Sequence, residues 1–332
     1  MRAAERSLHI LVAGGAGYIG SITTAALINS GHRVTVLDNL SSGYREAVHP
    51  DARFVAGDTS DRAVVESICR EGVDLAMHFA AFIEVGESVL NPSKYYGNNL
   101  VKSIEFFNAL VACGVRRLVF SSTAAVYGEP EQIPLTENAR LAPVNPYGWS
   151  KMMAETVLGD YDAAYGFKSV SLRYFNAGGA VGSYGESHNP ESHLIPRILN
   201  AVMENVPLKV FGTDYDTKDG SCVRDYIHAG DLAQAHILAA HYLMNDGQSD
   251  AFNLGTGSGY TVLEVIQTVE RVIGQPVPYA VAGRREGDSP VLVASPKKAQ
   301  NILNWTKEPM ELDVIVRSAW EWKQNHPRGY TL

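Results

Sequence analysis

Tyr147 and Lys151 stand four positions apart in the stretch NPYGWSK (145–151), where a turn runs into the helical-looking MMAETVL. On a helix, residues i and i+4 share a face, so the phenol and the ammonium project to one place. A free phenol ionises near pH 10 and is a poor base at neutrality. A unit positive charge about 6 Å away, at an effective dielectric of about 20, favours the phenolate by roughly 2.8 kcal/mol, about two pKa units. A phenolate of that kind can take a proton from an alcohol. A tyrosine beside a solvated lysine is common, so the pair gains its weight only from where the chain places it.

Upstream, FSSTAAVYG (120–128) sets three hydroxyls at the end of an apolar run. Thr123 is the candidate partner for a reacting hydroxyl, with Ser121 and Ser122 as alternatives. Any of the three could instead cap the strand end. Near the N-terminus, HILVAGGAGYIGS places Gly14, Gly17 and Gly20 where a strand turns into a helix. Glycines there permit a tight turn, close approach of the backbone to a pyrophosphate, and close helix–strand packing. The helix N-terminus offers free N–H groups to phosphate. Asp38 ends the next strand, where an acid accepts from ribose hydroxyls and repels a 2′-phosphate, so the spacing favours NAD over NADP. Asp58, after a third strand, suits either an adenine contact or a helix N-cap.

These residues need a scaffold. Short apolar runs (9–13, 33–38, 53–57, 74–80, 116–122 and 169–175) alternate with segments long enough for crossover helices, such as 20–30 and 99–113. Near-continuous apolar strands separated by helices predict a doubly wound parallel α/β sheet, a Rossmann fold, with Thr123 at a strand end facing the ligand crevice. Beyond Asn176 the pattern loosens into a glycine-rich connection (176–192). Helices follow at 194–205 and 230–242, with strands at 208–212 and 251–255. Thr261 and Glu264 have the form of a capping box. The expected division is a dinucleotide-binding domain over 1–176, with parts of 226–255, and a smaller interleaved α/β substrate lobe over 177–332.

Composition narrows the partners. The 332 residues carry a formal net charge of -8 and no basic block, which disfavours nucleic acid and anionic membrane surfaces. Three scattered cysteines fit a reducing compartment, and no apolar run is long enough to span a bilayer. A cytoplasmic protein is expected. His78, in an apolar strand, reads as an interior histidine. No acid/histidine cluster shows metal-ligand spacing, so no metal is expected.

GGAGYIG, FSSTAAVYG, YGWSK, RYFN, VRDYIH and RREGD occur in this order over nearly the whole chain. The set resembles the extended short-chain dehydrogenase/reductases, and within them is similar to the UDP-glucose (UDP-galactose) 4-epimerase family. The resemblance implies that bound NAD oxidises C4 of a UDP-hexose and returns the hydride to the other face. Tyr147 would be the acid/base, Lys151 its tuning partner, and Thr123 the hydrogen-bond partner of the reacting hydroxyl. Gly14, Tyr18, Ile19, Asp38, Asn39 and Ser42 fall on cofactor-contacting positions. So do Asp58, Phe79, Ala80, Asn98 and Tyr174, with Gly43, Thr59, Ala81 and Ser121 beside them. On the substrate side, Arg224 and Arg285 match diphosphate-binding arginines and Asn176 a sugar-nucleotide contact. Leu194, Val210, Phe211 and Asp288 match positions lining the nucleotide pocket. The family often dimerises through two helices, here 99–113 and 151–166, which makes a homodimer the expected assembly.

Three departures concern sugar contacts. Ile83 and Glu84 stand where many members carry a lysine, and His193 where some have asparagine. Leu292 is of intermediate bulk at a position where smaller residues admit N-acetylated sugars, so UDP-GlcNAc and UDP-pentoses stay open. A nucleotide-sugar 4,6-dehydratase would carry Asp-Glu after the threonine, whereas Ala124 and Ala125 follow Thr123 here. A decarboxylase fits the VRDYIH and RREGD contexts less well. A catalytically silent NAD-binding regulator would usually have lost the tyrosine or the lysine. A plain dehydrogenase would release NADH.

Overall fold

The computed structural model describes residues 6–285, 289–305 and 310–331. The first half alternates as its sequence predicts: β1 (His9–Ala13), α1 (Tyr18–Asn29), β2 (Arg33–Asp38), β3 (Arg53–Ala56), α2 (Arg62–Cys69) and β4 (Leu75–His78). After two short helices, α3 (Val85–Leu90) and α4 (Pro92–Tyr95), a wide turn at Tyr96–Val101 leads into α5 (Lys102–Ala112). Then come β5 (Arg117–Thr123), α6 (Pro146–Tyr165) and β6 (Lys168–Tyr174).

The second half is built from shorter pieces. They are β7 (Asn176–Gly178), α7 (Leu194–Glu204), β8 (Leu208–Phe211), β9 (Val223–Arg224), β10 (Tyr226–His228) and α8 (Ala229–Met244). β11 (Asp250–Leu254), β12 (Tyr260–Thr261), α9 (Val262–Ile273), β13 (Tyr279–Ala282) and β14 (Val291–Leu292) follow, then α10 (Lys297–Ile302) and α11 (Leu312–Asn325).

One sheet organises the molecule, in the order β11-β6-β5-β4-β1-β2-β3, with every neighbouring pair parallel. It is the doubly wound sheet that the sequence pattern predicts. Side chains alternate across a strand, so Ile10 and Val12 of β1 enter one core while Leu11 and Ala13 enter the other. The first core takes α8, through Leu232, Ala235 and Ala239, and the second takes α2, α5 and α6. Strand order reverses around β1, which opens a crevice at the carboxyl ends of β1 and β4. Among the described residues, no helix is long and apolar enough to cross a membrane.

A further core joins α7, α9 and α11 to β8, with Ile198, Val210, Val265, Val269 and Ile315 inside it. The Thr261–Glu264 capping box is formed as expected. Helix α11, outside the expected elements, presents Leu312, Ile315, Val316 and Ala319 to this core, a helical repeat that its sequence does carry. The small strands meet around Asp225, which is fully buried. Its carboxylate accepts from Thr256 N (2.8 Å), Thr256 Oγ1 (2.7 Å), Gly257 N (3.0 Å) and Ala294 N (3.1 Å).

Candidate active site

Helix α6 begins where it does because Asn145 caps it, its Oδ1 accepting from Gly148 N at 2.8 Å, while Pro146 fills the first turn without leaving an orphan N–H. That start carries Tyr147 to the end of β5, where its phenol hydrogen-bonds the Thr123 side chain. Thr123 Oγ1 also accepts from Ala125 N at 3.1 Å, so it caps the turn and meets the phenol. Ser122 is committed elsewhere: its hydroxyl donates to Glu155, which is paired with buried Arg173 at 2.6 Å. Ser121 serves twice, its carbonyl accepting from Lys151 Nζ at 2.8 Å and its side chain hydrogen-bonding Tyr174.

The electrostatics correct one sequence expectation. Lys151 was expected to pull the Tyr147 phenol down, yet burial pushes it above its ordinary value. The Thr123 hydrogen bond opposes that rise and the nearby Glu84 charge adds to it. Lys151 is itself only 3% exposed. Desolvation lowers its amine to about 7, against the pull of Glu155. The ammonium lies 4.9 Å above the Phe120 ring and points to the Ser121 carbonyl. The protein alone therefore raises the phenol and lowers the lysine, moving each toward its neutral form.

On the cofactor side, Gly14 has φ +83°, and a Cβ there would lie 2.4 Å from Ala80 N, where the exits of β1 and β4 cross. Gly17 differs: its φ is -84°, and a Cβ would meet only Gly14 O, at 3.5 Å. Internal packing does not require a glycine at 17, and no side chain caps the first N–H groups of α1. The cradle fits a pyrophosphate laid over Gly17. Gly20 packs against the Gly14 carbonyl, Gly43 closes against Ala16, and Ile19 packs into the core. Asp38 ends β2 with its carboxylate fixed by Ala16 N (3.0 Å) and Leu40 N (2.8 Å).

Asp58 accepts from Lys102 Nζ (2.6 Å), Asn39 Nδ2 (2.9 Å) and Ser60 (2.7 Å), contacts that outweigh its burial and hold it far below the usual carboxylate range. The cap of α2 is Asp61, which settles the N-cap alternative against Asp58. Ser42 is exposed on the same rim, and Thr59 is buried. Tyr18 is not a free phenol, since it donates to Gly179 O at 2.5 Å. Phe79 stacks on His236, which also meets the Tyr174 hydroxyl, and Ala81 is half-buried just beyond Ala80. Asn98 donates to Asn99, and Asn99 clamps both backbone groups of Phe82. His78 is an interior histidine as expected: Ser103 meets its Nε2 at 2.8 Å, and burial lowers its pKa to about 3.

The substrate-side candidates fall into small groups. Arg224, on β9, is in register with Leu292 on β14, and its Nη1 donates to Ser289 O at 2.8 Å. Arg285 lies 5.9 Å from the Phe211 ring centroid. Asn176 N donates to Asp225 O at 2.9 Å, which ties β7 to β10. Leu194 opens α7 half-buried. Val210 differs from the expectation: its side chain is 1% exposed and belongs to the core, so only its backbone can face a ligand. The imidazole of His193 turns to Glu186, with Nδ1 2.6 Å from Oε1. Asp288 lies outside the described residues.

Sequence reasoning missed Glu155, Arg173, Asn99 and Asp225, which touch site residues from below. RYFN and VRDYIH contain two of them, but a single chain does not show which letters of a motif are buried. The absence of metal-ligand spacing also needs correction, because the fold gathers Glu186, His188, Glu191 and His193.

Residues 10–255 match the NAD dependent epimerase/dehydratase family. Over 327 residues, 97% of this chain and 99% of the relative, the sequence is 47% identical to a UDP-glucose 4-epimerase of Lactobacillus helveticus. Among solved structures, the UDP-glucose 4-epimerase of Brucella ovis in complex with NAD superposes with a TM-score of 0.93 at 42% identity, covering 97% of this chain and 99% of that one. The UDP-glucose 4-epimerase of Bifidobacterium longum in complex with NAD+ and UDP gives 0.91 at 37% identity, covering 97% and 100%.

Proposed function

The chain belongs to the NAD-dependent epimerase/dehydratase family, and from that premise we propose that it interconverts UDP-galactose and UDP-glucose by inverting C4 through a transient 4-keto sugar. The observation that carries the reading is the half-buried Tyr147 phenol hydrogen-bonded to Thr123, with Lys151 behind it and two alanines where a dehydratase needs acids. NAD, when bound, supplies a hydride acceptor at C4 that can return the hydride in the same turnover. The pyrophosphate would rest on Gly17 and the first turn of α1, and Asp38 would hold a ribose.

The protein's own share is proton chemistry and positioning. Tyr147 removes the proton from the C4 hydroxyl as C4 is oxidised and returns it when the opposite face is reduced. Thr123 orients that hydroxyl and shares its proton with the phenol. Because burial pushes the phenol up and Lys151 down, the pair needs the positive nicotinamide nearby to reach the phenolate. Arg224 and Arg285 are suited to the UDP diphosphate, since forked guanidinium donors match phosphate oxygens. Leu292 in register with Arg224 sets the room beside the sugar. The chain is read as an NAD-binding domain over 1–176 with parts of 226–255, and a substrate lobe over 177–332. It is read as a homodimer joined through the helical segments 99–113 and 151–166, along which Val101 and Tyr165 are exposed. The pathway it serves is galactose use in the cytoplasm.

The test is conversion of UDP-galactose, UDP-GalNAc and UDP-xylose to their C4 epimers without added cofactor. The reading expects UDP-galactose to convert fastest, with no net reduced nicotinamide. Growth of NADH in step with product would overturn it.

A further inference from the structure

The loop 179–193 leaves β7 and returns as the N-cap of α7, carrying Glu186, His188, Glu191 and His193 in an E-x-H-x-x-E-x-H spacing. Folding brings one donor atom from each to within 4.8 Å of the others. His188 Nδ1 lies 3.3 Å from Glu186 Oε1 and 3.6 Å from Glu191 Oε2. His193 Nδ1 lies 2.6 Å from Glu186 Oε1 and 3.6 Å from Glu191 Oε1. Four donors set about 2.0 Å from a tetrahedral zinc ion stand about 3.3 Å apart. Three of the four measured separations, at 3.3–3.6 Å, lie near that length.

Well-aligned hydrogen bonds do not fill the cluster. Glu186 Oε1, His188 Nδ1 and His193 Nδ1 are shut from solvent, the polar atoms they meet are one another and the Glu191 carboxylate, in ion-pair contact without hydrogen-bond alignment, and the Glu186 side chain is only 6% exposed. Buried polar atoms normally find partners, because leaving them bare costs free energy. Here their lone pairs converge on one another instead. Were the cluster only ion pairs, two imidazolium rings would meet edge to face with centroids 5.2 Å apart.

We propose that Glu186, His188, Glu191 and His193 form a binding site for a structural zinc ion. Two imidazoles and two carboxylates suit zinc among divalent cations, whereas magnesium and calcium prefer oxygen alone. Four protein ligands leave no open position, so the ion serves architecture rather than chemistry. His193 is 41% exposed and gives the ion a way in. His188 meets Tyr18 edge to face at 6.2 Å, and Tyr18 holds Gly179 O. The ion thus pins the loop between the cofactor-side start of α1 and the start of α7. The inference stands independently of the epimerase reading.

Untagged holoprotein, purified without chelator, should contain one zinc per chain by plasma mass spectrometry, and chelation should lower its Tm by roughly 5 °C or more. Zinc chloride added to the chelated protein should restore both. A His188→Ala/His193→Ala variant should lose the metal while keeping its bound NAD. Glu191→Gln, which preserves shape, should bind added zinc about tenfold or more weakly. Wild-type protein that takes up no stoichiometric zinc, that fills with another metal, or whose zinc affinity is unchanged by Glu191→Gln, overturns the site.

Discussion

The cofactor side and the substrate side are built by different means. Before residue 176, the central candidates sit where a strand of the main sheet or a helix begins or ends: Gly14 after β1, Asp38 ending β2, Ala80 after β4, Thr123 ending β5 and Tyr147 opening α6. The sheet fixes those ends redundantly. After residue 176, Arg224 and Leu292 ride on strands of two residues each, and Asn176 on one of three. What locks them is largely one carboxylate, Asp225, with four hydrogen bonds. Redundant support leaves the first side free to carry groups tuned for chemistry, while the second depends on few contacts.

The largest effect should come from Tyr147→Phe. Losing the acid/base should cut turnover by about 10²–10⁴-fold, while Tm and bound NAD stay near wild type. A stability loss comparable to the activity loss would show that the first side is not redundantly built. Asp225→Asn is the matching test on the other side. It keeps the shape but turns an N–H donor toward donors, and should cost roughly 1–3 kcal/mol of stability in urea unfolding while raising KM for the UDP-sugar more than it changes kcat. An equal fall in kcat and no stability loss would erase the contrast.

Two glycines sharpen the comparison inside the first side. Gly14→Ala places a methyl against Ala80 N at a positive φ and should destabilise the fold by about 1–3 kcal/mol. Gly17→Ala has room, so Tm should hold while NAD affinity falls by about tenfold, close to 1.4 kcal/mol. Calorimetry with NAD titration separates the two, and a Gly17→Ala protein that binds NAD normally would remove the pyrophosphate from that turn.

The smallest effect per step is a slope, read one pH unit at a time. Lys151 has a folded-state pKa of about 7, below its unfolded value of about 10.4. Between those values unfolding takes up a proton, so stability should rise with pH there, by up to about 1.4 kcal/mol per unit. Lys151→Met should flatten that rise in NAD-free protein. Parallel pH–stability curves for the two proteins would show that the amine is not desolvated.

How much was legible follows the same division. β1 and β2 match their apolar runs residue for residue, because continuous β-branched stretches between glycines admit few alternatives. The spacing of Tyr147 and Lys151 was legible, but the desolvation of the two groups was not, because burial of Lys151 depends on Phe120 and the Ser121 carbonyl, which only folding brings there. Val210 looked like a pocket residue although β8 faces it inward, and strand phase cannot be read from four letters. The Glu186–His193 cluster lay in a glycine-rich stretch read as a loop, where spacing alone says little until the chain turns back on itself.

The most direct test follows the hydrogen at C4. UDP-galactose carrying deuterium there, incubated in ordinary water with the enzyme and its bound cofactor, should yield UDP-glucose that keeps the deuterium at C4, since the proton handled by Tyr147 belongs to oxygen and the carbon hydrogen goes out and comes back. UDP-glucose with solvent hydrogen at C4 would contradict the account.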